Sequence, residues 1–86
     1  MISETIILRK ATQEIITYCM KKGRTLNQIF KKVSKYEKIL SLFNSKDNIS
    51  VIVYLLKKSD MLEKKNRKYI ATVEGKKFLL LDILEG

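Results

Sequence analysis

The stretch from Ser45 to Thr72, SKDNISVIVYLLKKSDMLEKKNRKYIAT, constrains the fold more than any other part of the chain. Ile49, Ile52, Val53 and Leu56 fall at i, i+3, i+4 and i+7, the stripe of a helix with one buried face. Ser45 or Asp47 can cap that helix, which is predicted over 46–58. Val51, Ile52 and Val53 are β-branched, and 49–56 alone would also suit a buried strand. The cap before it and the polar Ser50, Lys57 and Lys58 favour the helix. Ser59 and Asp60 end it, with Asp60 where a left-handed residue is wanted. Met61 and Leu62 then start a strand, and Tyr69, Ile70 and Ala71 supply its partner. Between them lies Lys64-Lys65-Asn66-Arg67-Lys68, four cations around one Asn that tolerates a left-handed turn. The order is therefore a helix, then a hairpin with a basic tip.

The flanking segments read as helices. Over 3–22, Ser3 is the expected N-cap, Glu4 suits the positive end, and Lys21 and Lys22 suit the negative end. Gly23 is expected to stop the helix in a left-handed conformation. Leu8, Ala11, Ile15 and Cys19 form one stripe, widened by Ile6, Ile7, Ile16 and Met20. Cys19 reads as a small buried hydrophobe. Thr25 caps a second helix, about 26–33, with Leu26, Ile29, Phe30 and Val33 inward. Ser34-Lys35-Tyr36-Glu37 is a capping box opening a short helix to about Phe43, with Ile39, Leu40 and Phe43 buried. After the hairpin, Thr72 caps a last helix over 73–85. Phe78, Leu79, Leu80, Leu81, Ile83 and Leu84 make it apolar nearly all round, which calls for a second covering surface.

At 86 residues and 45% hydrophobic, the chain suits one domain, 1–86, with a core of its own. Its single cysteine allows no internal disulfide, and no Cys/His cluster suits zinc. With no histidine, the commonest general base and metal ligand is missing. No carboxylate pair, nucleophile–base arrangement or Gly-rich phosphate loop appears. The expectation is a non-enzyme without cofactor, metal or evident small-molecule ligand. It is expected inside the cell, cytoplasmic and nucleoid-associated. No membrane span or signal peptide is legible. Charge points to a polyanion: 18 Lys and Arg stand against 9 Asp and Glu, a net +9. The cations cluster in 21–38 and 57–68, and 78–86 has none. The lysine- and isoleucine-rich, glutamine-poor composition is in keeping with a thermophile.

Leu56-Lys57-Lys58-Ser59-Asp60-Met61-Leu62-Glu63-Lys64-Lys65 resembles the end of the recognition helix and the first wing strand of small archaeal winged-helix DNA-binding proteins. Tyr69-Ile70-Ala71-Thr72-Val73-Glu74-Gly75-Lys76-Lys77-Phe78-Leu79 is similar to their second wing strand and the start of their last helix. The likeness covers about 53–80, and 12–33 more loosely. It implies an α+β, mostly helical winged helix-turn-helix with a two-stranded wing and a C-terminal helix. It also implies DNA-binding regulators or chromatin-associated proteins of archaea, their plasmids and their viruses, commonly dimers joined through terminal helices. Two departures stand out. Asp60 replaces the family's Gly, and 34–45 is longer than usual, which leaves open which helix enters the groove.

On that resemblance, 46–58 becomes a recognition helix for the major groove. Lys46, Asn48, Ser50, Val51, Tyr54 and Lys57 are its expected DNA-facing residues: Asn48 for adenine, Val51 for a thymine methyl, Tyr54 for a phosphate. Lys64, Lys65, Arg67 and Lys68 are the wing's phosphate or minor-groove contacts, and Lys31, Lys32 and Lys35 extend the positive surface. Helices 3–22 and 73–85 are expected to dimerise through Leu8, Ile15, Leu80, Leu81 and Leu84. The function expected is a homodimeric, double-stranded DNA-binding transcription regulator. A low-specificity architectural or replication-associated DNA binder and a protein-interaction winged helix are the alternatives.

Overall fold

The computed structural model describes residues 3–43 and 47–85. Ser3 accepts a hydrogen bond from the Ile6 amide at 3.2 Å and opens helix α1, Glu4–Lys21. Its end departs from expectation. Lys22 is extended and Gly23 does not take positive φ. The need for glycine there is space, because a Cβ on Gly23 would lie 3.1 Å from the Lys68 Cβ. That close approach lets the next two residues pair as strand β1, Arg24–Thr25, which is too short for any periodicity to announce.

Thr25 and Gln28 form a full capping box at the start of α2, Leu26–Lys32. Helix α3, Ser34–Leu40, follows at once. The capping box expected at Ser34–Glu37 is absent: Val33 is the N-cap and makes no side-chain cap bond. Glu37 serves another helix instead. Its Oε2 accepts from the Asn48 amide at 3.2 Å and its Oε1 from the Ile49 amide at 3.0 Å. Glu37 thereby takes the role expected of Ser45 or Asp47 at the start of α4, Asn48–Lys58. Asp47 is the N-cap by position but makes no cap bond, and Ser45 lies outside the described residues. A carboxylate on those free amides suits the positive helix end.

The expected stripe of α4 is inward: Ile49, Ile52, Val53 and Leu56 are all buried. Helix wins over strand here because the four residues share one face only at a 3.6-residue period. Asp60 then takes φ 62°, the left-handed turn expected of it. Strands β2, Leu62–Lys65, and β3, Lys68–Ala71, pair antiparallel, with Lys65 opposite Lys68. The sheet has three strands where two were expected, in the order β1-β3-β2. Thr72 accepts from the Gly75 amide at 3.0 Å and opens α5, Val73–Glu85. Its hydroxyl also donates to the Asp60 carbonyl, tying the helix start to the turn after α4. Gly75 is required by close approach, since a Cβ there would run into the Met61 carbonyl oxygen.

The fold is thus α+β and mostly helical, with five helices and one antiparallel sheet among the described residues. One core collects Ile7, Ala11, Ile15, Ile16 and Cys19 of α1 with Ile29, Val33, Leu40, the α4 stripe, Leu62, Tyr69, Ala71 and Leu79. Helix α1 runs through its middle, against α2, α3, β3 and α5. Phe43, expected inside, is exposed. Burial pushes the Cys19 thiol up to about 11, with Arg24 opposing, so it is a neutral core group as expected.

Candidate nucleic-acid interface

The hairpin joins β2 to β3 through only Asn66 and Arg67, at φ 50° and 65°. Two consecutive left-handed residues make the kind of two-residue turn that matches the twist of paired strands. Asn accepts this readily, whereas Arg does so at some cost. The turn lifts the Arg67 side chain to the tip and leaves Lys65 and Lys68 directly across from one another. Like charges in that position repel, and an anion between them would relieve the repulsion. Lys64 lies opposite Tyr69, its Nζ 5.5 Å from the ring centroid. Lys65 meets Glu63 at 3.8 Å, a long and exposed pair worth little. Arg67 and Lys68 have no ion-pair partner among the described residues.

Strand β1 brings further residues alongside. Thr25 pairs with Lys68, and a shallow groove is lined by Thr25, Leu26, Asn27, Lys64, Arg67 and Tyr69. The Arg24 guanidinium is engaged elsewhere. It stacks 3.8 Å from the Tyr18 ring centroid, and its Nε donates to the Tyr18 carbonyl at 3.1 Å. Lys32 approaches the same ring at 5.5 Å. Lys31 and Lys35 are exposed, with Lys35 5.0 Å from the Tyr36 ring.

Helix α4 needs one correction. Asn48, expected to face a base, is 8% exposed, and its Nδ2 donates to Glu37 Oε2 at 2.8 Å. The amide group is held inside the α3–α4 junction because the carboxylate that caps α4 also satisfies it. The outward face carries Val51, Tyr54, Lys57 and Lys58, with Ser50 half-buried and its hydroxyl donating to Asp47 at 3.1 Å. Leu55 is exposed there too, a residue that sequence reasoning misses. Val51, Tyr54 and Leu55 stand at i, i+3 and i+4, so the helix has a second, outward apolar stripe that the stronger buried one hides. Lys46 lies outside the described residues.

The expected dimer residues divide. Ile15 is fully buried in its own chain and is unavailable to a partner. Leu8 is partly buried against the same core. Leu80, Leu81 and Leu84 are exposed, Leu84 at 82%, as is Ile83 beside them. Asp82 on α5 faces α1, where Arg9 Nε meets it at 2.8 Å and Gln13 Nε2 at 2.6 Å. Those hydrogen bonds, from Arg9 first and Gln13 second, hold the Asp82 carboxyl below its ordinary range. No group of three or more His, Cys, Asp or Glu among the described residues could hold a metal ion. No described helix is long and apolar enough to cross a membrane. Compared with protein-family models, curated proteins and solved structures, the chain matched none of them.

Proposed function

We propose that this chain is a double-stranded DNA-binding protein of the winged-helix kind, acting as a homodimeric transcription regulator. The observation that carries the reading is the hairpin tip. Lys64, Lys65, Arg67 and Lys68 crowd a two-residue turn, and Lys65 and Lys68, the lysines that flank it, oppose each other across the strands. Such a concentration of positive charge is unfavourable in isolation and becomes favourable against phosphates. The net charge of +9 adds long-range attraction. The arrangement of helices followed by a hairpin is compatible with a winged helix, with α4 as the element for the major groove and β2–β3 as the wing. Exposed Leu80, Leu81 and Leu84 support pairing of two copies through α5.

The test is a fluorescence-anisotropy titration of a random-sequence duplex across a salt series. A variant with Lys64, Lys65, Arg67 and Lys68 changed to Gln is measured beside the native chain. Native affinity should fall steeply with salt, and the slope should flatten in the variant by nearly one unit for each phosphate no longer neutralised. A salt-independent affinity would sink the reading. Absence of binding at low salt would leave a protein-interaction module built on the exposed apolar helices.

A further inference from the structure

We infer that α4 reads thymine methyl groups, so that the preferred duplex is rich in A·T pairs. This rests on the double-stranded DNA reading above and adds the sequence class that the helix would select.

The hydrogen-bonding code for base edges is largely missing from α4. Guanine is most often read by Arg or Lys, and adenine by Asn or Gln. The chain has three arginines, Arg9, Arg24 and Arg67. Arg9 is bound to Asp82, Arg24 is stacked on Tyr18, and Arg67 is at the hairpin tip rather than on α4. Asn48, the one amide side chain of α4, is held by Glu37. Gln13 and Gln28 are engaged on α1 and α2.

Ahead of its last turn, what α4 offers outward is mainly apolar. Val51, Tyr54 and Leu55 are each about half exposed, at 46%, 58% and 53%. The lysines of the described helix are at its last turn, Lys57 and Lys58, where the backbone is the natural contact. Asp47, at the other end, is met by the Ser50 hydroxyl. In the major groove the one apolar group on a base edge is the thymine C5-methyl. An apolar helix face set against G·C pairs would cover polar edges that it cannot satisfy, which is unfavourable. Set against thymines, the same face removes methyl groups from water.

The experiment isolates the methyl group. Three duplexes of equal length are titrated with the full chain at one moderate salt concentration: A·T-rich, the same with every thymine replaced by deoxyuridine, and G·C-rich. Deoxyuridine keeps the hydrogen-bonding edge and loses only the methyl. The A·T-rich duplex should bind tightest, and deoxyuridine should weaken binding by roughly fourfold per methyl buried. A Val51→Ser, Leu55→Ser variant changes exposed positions and should keep its helical circular dichroism. Its affinities for the thymine and deoxyuridine duplexes should be equal. Unchanged binding on deoxyuridine substitution, or tighter binding to G·C, overturns the inference while leaving the DNA-binding reading intact. No binding to any duplex, with the titration repeated at low salt, overturns both, and α4 would then be a protein-docking face.

Discussion

Helix α5 is the more apolar of the two terminal helices in sequence, yet it is α1 that the fold buries. Helix α1 has five buried residues and packs against α2, α3, β3 and α5. Helix α5 has two, Gly75 and Leu79, and packs against α1 and β3. Its Leu80, Leu81, Ile83 and Leu84 remain exposed. The difference is one of position. A helix that meets four other elements finds cover for most of its apolar face, although Ile6 and Met20 of α1 stay exposed, whereas a helix on the flank finds cover for little of it. Apolar density therefore measures how much cover a helix needs, and the topology decides whether its own chain provides it.

The strongest way to break this contrast is to shorten a side chain in each helix. Ile15→Ala should cost about 2–5 kcal/mol in urea unfolding, through lost burial and a residual cavity. Leu84→Ala should stay within about 0.5 kcal/mol at protein concentrations where the chain is monomeric. Equal losses would mean that α5 is covered within the monomer.

Gly75→Ala examines how α5 is docked. In an open helix the change would gain up to about 1 kcal/mol of helix propensity. Here the new Cβ would meet the Met61 backbone oxygen, a clash that no side-chain rotation relieves. The clash should dominate, for a net loss of about 1–3 kcal/mol by thermal unfolding. A stabilised variant would place α5 further from the β2 start than the structure has it.

Leu81→Glu with Leu84→Glu sharpens the contrast from the other side. Monomer stability should move by at most about 0.5 kcal/mol, while sedimentation should report loss of the proposed dimer. A dimer that survives both charges would move the interface off α5.

The smallest effect is the α1–α5 clamp. Its native carboxyl, Asp82, titrates below the ordinary value, so its contribution is present above about pH 4 and is lost as pH falls through the lower native value. Acid unfolding of Asp82→Asn should accordingly show a shallower pH dependence than the native chain. Identical profiles would make the Arg9–Asp82 contact energetically idle.

Much of this fold is legible in the chain. The α4 stripe, the Asp60 turn, the caps at Ser3, Thr25 and Thr72 and the burial of Cys19 all follow from residues within a turn or two of one another. The candidate interface is legible in part, because a run of cations between two short strands is a local signal. Asn48 misleads because its partner, Glu37, is eleven positions away on another helix. The same carboxylate points to the wrong helix, since a Ser-x-x-Glu spacing looks alike whether or not the box closes.

The sequence by itself determined the local choices: which segments are helical, where they start, where the chain turns left-handed, and that positive charge gathers at a hairpin tip. Each depends on interactions between residues close in the chain, which spacing and residue type encode directly. Only the tertiary structure decided that β1 joins the sheet, that Glu37 caps α4 and withdraws Asn48, and that Ile15 is enclosed while Leu84 is bare. Those outcomes depend on what distant segments bring alongside, and a buried or capped group is defined by its neighbours in space.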